Sequence, residues 1–405
     1  MSEVITDKAR INEVLTRGVE NIYPNREFLE KTLTSGKRLR IYCGFDPTAP
    51  SLHIGHAIQI NKLAQLQALG HEIIFLIGGF TGMIGDPTDK TATRKKLTKE
   101  EVLINSKNYK KQASAYLKFT GNNPAKVMNN SKWFDKMTFS DLIELASNFT
   151  VGQMLVRDMF QKRIEEQKPI HLHEFLYPLA QGYDSVVMDV DMEVGGNDQT
   201  FNMLAGRDLM KSLLGKEKFV ITTKLLADEE GKKMGKTEGN AVSLNETVEN
   251  VYGKIMSWPD GSIVNAFELC TNEPMPEVEK MREEIKSGKN PRDAKMRLAF
   301  EVTKLYHGEK KAKQAENYFI KTVQKKELPS EIEEVRLPIN NYKLVELLVE
   351  IKLASSKGEA RRLIEQGGVK VNGLVVKDVN ADLNIIPEGV LLQRGKLHFL
   401  KVVGI

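Results

Sequence analysis

Cysteine is nearly absent: Cys43 and Cys270 are the only two among 405 residues. Two thiols exclude a disulfide framework and a cysteine-based zinc site. No apolar run approaches the roughly 18 residues of a membrane-spanning helix. The opening Met-Ser-Glu-Val-Ile-Thr-Asp-Lys lacks the apolar centre of a secretion signal, so a cytoplasmic location is expected. There is no internal repeat and no low-complexity tract. Nor does one sign of charge dominate: Lys and Arg total 59 against 54 Asp and Glu, a formal net charge of +5. That balance permits a polyanionic partner without requiring one. What remains is 41% hydrophobic and 28% charged, the composition of a globular chain with a real core. The length allows two or three domains.

Residues 39–80 read as one βαβ unit. Leu39 to Phe45 is a short apolar strand. Ile54, Ala57, Ile58, Leu63, Leu66 and Leu69 follow helical spacing, and Gly70 supplies the stop. Ile73 to Ile77 is a continuous apolar run, as in a strand buried on both faces of a parallel sheet, and Gly78-Gly79 breaks it. Helices are expected around 99–119 and 139–147, and a strand at Val186–Val190. The alternation predicts a doubly wound α/β sheet, with its ligand crevice at the carboxyl ends of the strands. Beyond about residue 245 the pattern is helical and rich in Lys and Glu, including Pro276–Lys286 and Pro291–Tyr306. Residues 321–341 read as a polar linker. In the final segment, Ser356-Lys-Gly-Glu359 forms a capping box, Gly367-Gly368 ends its helix, and Asn372-Gly373 turns a β-hairpin.

Five groups carry candidate chemistry. His53 and His56, three apart at a helix start, could meet a phosphate, hold a metal, or merely line a crevice wall. No third ligand has a spacing that would favour a metal. Gly78-Gly-Phe-Thr-Gly-Met-Ile-Gly-Asp86-Pro-Thr-Asp-Lys90, with Arg94 behind it, implies close backbone approach to a ligand, or a flexible turn with solvated cations. It is not a Walker loop. Tyr177, Gln181 and Asp184 share one helical stripe, which makes poor core and good ligand lining. Gly195-Gly-Asn-Asp198-Gln199 places an acid beyond a strand, where ribose hydroxyls are commonly held. Lys232-Lys233-Met-Gly-Lys236-Thr237 is a lysine loop that gains meaning only beside the histidine pair. Two histidines and two lysines around one nucleotide can neutralise charge building on a phosphate.

Taken together, these motifs resemble the class I aminoacyl-tRNA synthetases. His-Ile-Gly-His is intact, and Lys-Met-Gly-Lys-Thr stands for the usual Lys-Met-Ser-Lys-Ser. Within that class they are similar to the bacterial tyrosyl-tRNA synthetases over essentially the whole chain. The resemblance implies a Rossmann-like catalytic domain over 1–228, and a signature loop with a helical anticodon-binding domain over 229–325. A linker over 326–340 and a small α+β S4-like RNA-binding domain over 341–405 would follow. By motif it implies that Tyr42 and Asp184 hold a substrate phenol and that Asp86, Tyr177 and Gln181 hold its ammonium, with Asp46 also lining that substrate. Asp198, Gln199 and the Cys43–Gly44 backbone would line the ribose and acyl region beside Gly196. Thr48, His53 and His56 would meet the nucleotide. Lys90, Arg94, Lys233, Lys236 and Thr237 would stabilise departing pyrophosphate. Lys352, Lys357, Arg361, Arg362, Lys370 and Lys377 would contact tRNA phosphates.

The implied reaction has two steps. The tyrosine carboxylate attacks the α-phosphorus of ATP, and the terminal ribose hydroxyl of tRNA(Tyr) then attacks the mixed anhydride. Mg²⁺ would travel with ATP rather than occupy a protein cage, and the resemblance implies a symmetric homodimer. Two departures from the common pattern stand out: Gly235 and Thr237 in the second signature, and Thr200 where some relatives carry Trp. Three rival readings are a tryptophan-specific cousin, a catalytically silent RNA-binding protein and a simple nucleotidylyltransferase. The first is opposed by Asp184 facing Tyr42, the second by two charged signatures, and the third by the C-terminal module.

Overall fold

The computed structural model describes residues 3–88, 96–227, 242–325, 328, 332–395 and 397–405. Lys90, Arg94, Lys232, Lys233, Lys236 and Thr237 therefore lie outside the described residues. The chain forms two compact units, Met1–Glu246 with Trp258–Leu298, and Thr247–Ser257 with Ala299–Ile405. The helical stretch expected over 229–325 is thus divided between them.

The first unit is built on a six-stranded sheet. Its elements include β1 (Val19–Tyr23), β2 (Arg40–Phe45), α1 (Ile54–Ala68), β3 (Glu72–Ile77), α2 (Thr81–Ile84) and β4 (Lys126–Asn129). They continue with α3 (Leu172–Val187), β5 (Met192–Gly196), α4 (Thr200–Leu214) and β6 (Phe219–Thr223). The strand order is β1-β6-β5-β2-β3-β4. Only β1 runs antiparallel to its neighbour. Successive strands β2, β3 and β4 step one way while β5 falls on the other side of β2, so the order reverses between β2 and β5. In an open parallel sheet that reversal opens a crevice beyond the carboxyl ends.

The βαβ reading of residues 39–80 agrees with β2, α1 and β3, and Gly70 ends α1 at φ 94°. Every residue of β5 and β6 is buried, as parallel strands covered on both faces require. The expected strand at Val186–Val190 is instead the last turn of α3 and the bend after it. The strand in this place is β5. A short apolar run suits either state, and here the sixteen-residue helix that carries Tyr177 and Asp184 extends through it.

In the second unit, α5 (Val248–Met256) and α6 (Glu309–Phe319) meet through Tyr252 and Phe319, whose ring centroids are 5.5 Å apart. Next come β7 (Glu333–Leu337), β8 (Asn341–Lys343), α7 (Leu344–Glu350) and α8 (Lys357–Glu365). The unit closes with β9 (Val369–Val371), β10 (Leu374–Val376), β11 (Asp382–Asn384), β12 (Val390–Arg394) and β13 (His398–Gly404). A five-stranded sheet, β10-β9-β12-β13-β7, covers a core that includes Leu347, Leu348, Ala360, Ile364, Leu392 and Val402. Within the segment expected to be a linker, Glu333–Leu337 pairs in parallel with β13. Asn372 and Gly373 have φ of 48° and 84°, the left-handed pair that a two-residue hairpin turn needs. Ser356 caps α8 through the Glu359 amide, but the Glu359 carboxylate returns to Ser355, so the expected capping box is only half formed.

Candidate active site

Tyr42 on β2 and Glu193 on β5 are register partners and so face the same side of the sheet. Helix α3 supplies that side with Tyr177, Gln181, Asp184 and Ser185. Asp184 is buried and accepts from Asn130 Nδ2 at 3.2 Å and Trp133 Nε1 at 2.9 Å. Burial pushes its carboxyl well above the usual carboxylate range. Those two donors pull the other way, while Asp46 and Glu193 add to the rise. The Tyr42 phenol is likewise pushed well up, first by burial and then by Glu193 and Asp184. Its hydroxyl lies 2.8 Å from Ser185 Oγ, and no hydrogen bond joins it to Asp184. Tyr42 and Asp184, the two residues expected to hold a substrate phenol, are thus each bonded to partners of their own.

Asp46, at the end of β2, joins the same network. Its Oδ2 accepts from the Tyr177 hydroxyl at 2.9 Å and its Oδ1 from Thr81 Oγ1 at 2.6 Å. Asn130 donates to Thr81 Oγ1 at 3.0 Å as well as to Asp184. One continuous chain therefore runs Tyr177–Asp46–Thr81–Asn130–Asp184–Trp133. Gly78 is what lets the Asp46 carboxylate sit there, since a Cβ on that residue would fall 1.9 Å from Asp46 Oδ1. Gln181 donates through Nε2 to Glu193 Oε1 at 2.9 Å, which leaves its carbonyl oxygen as the acceptor. Asp86 accepts from Gln199 Nε2 at 2.8 Å and from Thr88, so the glycine-rich turn and the Asp198-Gln199 motif meet.

The nucleotide-side candidates gather at the carboxyl ends of β2 and β5 as well. His53 and His56 stack with ring centroids 3.8 Å apart, and His56 Nδ1 accepts from the His53 amide at 3.2 Å at the start of α1. Val242–Leu244 pairs with this segment: Ile54 N–H donates to Val242 O, and Leu244 N–H to Leu52 O, both at 2.9 Å. The chain leaving the second signature is thereby tied to the first. Cys43 is buried and its thiol is pushed well up by burial, so the segment offers backbone rather than a thiolate. Gly44 and Thr48 are exposed, and Thr48 N–H turns back to Asp46 O at 2.8 Å. Gly196 ends β5, where a Cβ would lie 2.5 Å from Asp198 Oδ1.

In the second unit Lys352, Lys357, Arg361 and Arg362 are exposed and Lys370 is partly so. Lys357 is engaged with Glu346 at 2.5 Å. Among the described residues no group of three side chains is arranged to hold a metal ion.

Asn130, Trp133, Thr81, Ser185, Glu193 and Lys218 take part in this network without having been singled out from the sequence. The readable signal was a charge inside an apolar strand: Glu193 within Met192-Glu-Val194, and Lys218 directly before Phe219-Val-Ile.

The family of class I tRNA synthetases for tryptophan and tyrosine matches residues 34–324, and the S4 domain family matches 343–384. The chain is 44% identical to the tyrosine–tRNA ligase of Carboxydothermus hydrogenoformans, covering 96% of this chain and 97% of that protein. It is 43% identical to the one from Thermotoga maritima, over 97% of both. The chain belongs to the tyrosyl-tRNA synthetase family. The synthetase is also similar to the truncated mitochondrial tyrosyl-tRNA synthetase of Coccidioides posadasii. That structure gives a TM-score of 0.63 at 28% identity, covering 76% of this chain and 91% of that one. A tyrosyl-tRNA synthetase from Archaeoglobus fulgidus shares the fold at TM-score 0.60 and 22% identity, over 76% of this chain and all of that one. As a tyrosine–tRNA ligase the synthetase activates L-tyrosine with ATP to tyrosyl-adenylate and pyrophosphate, then transfers the tyrosyl group to tRNA(Tyr).

Proposed function

We propose that the crevice between β2, β5 and α3 is the tyrosine pocket, with Asp184 and Tyr42 meeting the phenol. Asp46, Asp86, Tyr177, Gln181 and Gln199 line the ammonium and carboxylate end. The observation that carries this reading is Asp184, a buried carboxylate whose hydrogen-bond donors among the described residues are one amide and one indole. Neutral donors alone leave such a group short of compensation, and a phenol O–H supplies a third. Phenylalanine cannot, so it leaves the polar floor unsatisfied. The Archaeoglobus synthetase, which shares this fold, is complexed with L-tyrosine, in keeping with an amino-acid site in such a domain. Cys43 and Gly44 by their backbone, with Thr48, His53, His56, Gly196 and Asp198, take the nucleotide. Lys90, Arg94, Lys233, Lys236 and Thr237 neutralise the leaving pyrophosphate, whose Mg²⁺ arrives with ATP as part of the substrate.

Catalysis on this reading needs no side-chain nucleophile: the tyrosine carboxylate attacks in line, and positioning with electrostatic stabilisation lowers the barrier. The reading is tested by equilibrium tyrosine binding to Asp184→Ala. Affinity should fall at least tenfold in a protein that still melts cooperatively, and unchanged affinity would remove Asp184 from the pocket.

The same reading extends outward. Lys352, Lys357, Arg361, Arg362 and Lys370 contact tRNA phosphates, and the synthetase works as a cytoplasmic homodimer. Phe139, Val151 and Leu172, 77%, 70% and 82% exposed, are large apolar side chains that such an interface would cover.

A further inference from the structure

Beneath the pocket lies a buried cation that the two-step reaction does not use. Lys218 is fully buried, is paired with Glu193 Oε2, and also donates to Ser185 Oγ at 2.9 Å. Glu193 turns its other oxygen to Gln181, so one carboxylate holds both the ammonium and the amide. The space for Lys218 comes from Gly206 on α4, where a Cβ would sit 2.6 Å from Nζ. At this level α3 and α4 cross at Gly182 and Gly206, and a Cβ on Gly182 would lie 3.1 Å from Gly206 Cα.

The partners of Ser185 decide the direction of its hydroxyl. Its Oγ has two, Lys218 and the Tyr42 hydroxyl at 2.8 Å. In isolation either member of the Ser185–Tyr42 pair can donate. An ammonium, however, only donates, so among the described residues the Ser185 hydrogen has the Tyr42 oxygen as its acceptor. The Tyr42 hydrogen must then point elsewhere. It reaches the Gln181 backbone carbonyl at 3.4 Å, a long contact that a better acceptor readily replaces, and it also faces the Glu193 carboxylate. The elevated phenol pKa of Tyr42 keeps it a neutral donor throughout the working range.

We infer that Lys218 and Ser185 are positioning residues that set tyrosine specificity. The buried ammonium orients Ser185, Ser185 orients Tyr42, and Tyr42 presents its hydrogen to the substrate phenol oxygen. The substrate hydroxyl, accepting from Tyr42, has its own hydrogen free for Asp184. Donor and acceptor are thus assigned in one sense along Lys218, Ser185, Tyr42, phenol and Asp184. An amino acid without a hydroxyl breaks the chain at its last two links. This inference rests on the placement of the phenol between Tyr42 and Asp184.

The test is ATP–pyrophosphate exchange by Tyr42→Phe, Ser185→Ala and Lys218→Met, each with tyrosine and with phenylalanine. Lys218→Met strands the buried Glu193, so the double variant Lys218→Met with Glu193→Gln is measured beside it, and each protein's fold is checked by circular dichroism. Ser185→Ala leaves the Lys218–Glu193 pair in place. It should raise the KM for tyrosine about tenfold, the size of one net hydrogen bond, with kcat and the KM for ATP unchanged. Its kcat/KM for phenylalanine should stay at the wild-type value, because phenylalanine never used the relay. The charge-free double variant should show the same split. Equal losses for tyrosine and phenylalanine would mean a purely structural role and overturn the inference. If only Tyr42→Phe raised the tyrosine KM, the relay would be wrong while the pocket stood. If Tyr42→Phe also left the preference for tyrosine untouched, the pocket placement itself would fail, and the relay with it.

Discussion

On the proposed reading Asp184 exchanges stability for recognition. Its folded pKa lies well above the ordinary carboxylate value, chiefly because it is buried. As pH rises, the unfolded chain therefore releases this proton before the native state does. The stability contribution is complete below the unfolded value of about 3.9 and declines as pH rises above it. Asp184→Asn removes that titration. Denaturant melts at pH 5 and pH 8 should show the variant gaining stability relative to the parent as pH rises, while tyrosine affinity falls. A variant that loses stability with rising pH would contradict the burial argument. Gln181, Tyr177 and Asp184 were legible as a stripe because helical spacing places them on one face. Their partners were not legible, because Asn130 and Trp133 follow β4 and Glu193 lies on β5, so they share no local pattern with α3.

At the scale of elements, the parallel strands read clearly where an apolar run was bounded by glycine, as at Ile73–Ile77 before Gly78. They were misread at Val186–Val190, where a helix continued through a run that period alone cannot assign. The join between β2 and β3 also carries a pH dependence. His71, between α1 and β3, accepts the Leu39 amide at 3.3 Å through Nδ1, and burial lowers its pKa from 6.5 to about 4. The unfolded chain binds the extra proton between those values, so stability rises with pH across that window and is lost as pH falls to about 4. The loss should amount to ~3 kcal/mol. His71→Asn, which keeps an acceptor without the titration, should flatten the profile measured by chemical denaturation. In the second unit, Gly373 at φ 84° sets the β9–β10 turn. Gly373→Val should cost that unit ~1–2 kcal/mol, since a Cβ is strained in the left-handed region.

Across the whole molecule, on the proposed reading, the labour divides between an amino-acid pocket in one compact unit and a tRNA-binding surface in the other. The family was legible because its signatures are short, spaced motifs. The strand inside the expected linker was not, because Glu333–Leu337 finds its partner β13 far along the chain, beyond α7, α8 and five further strands. If Arg361 and Arg362 contact tRNA phosphates, Arg361→Ala with Arg362→Ala should weaken tRNA binding and lower its log–log salt slope by about 1–2. Pyrophosphate exchange without tRNA should be unaffected. The central claim, a pocket that selects a phenol, is tested most directly by ATP–pyrophosphate exchange in the wild-type protein with tyrosine, phenylalanine and tryptophan in the absence of tRNA. The account predicts rapid exchange with tyrosine and exchange slower by orders of magnitude with the other two at equal concentration. Exchange with phenylalanine at a comparable rate would contradict it, because the polar floor around Asp184 and Tyr42 would then have no part in choosing the substrate.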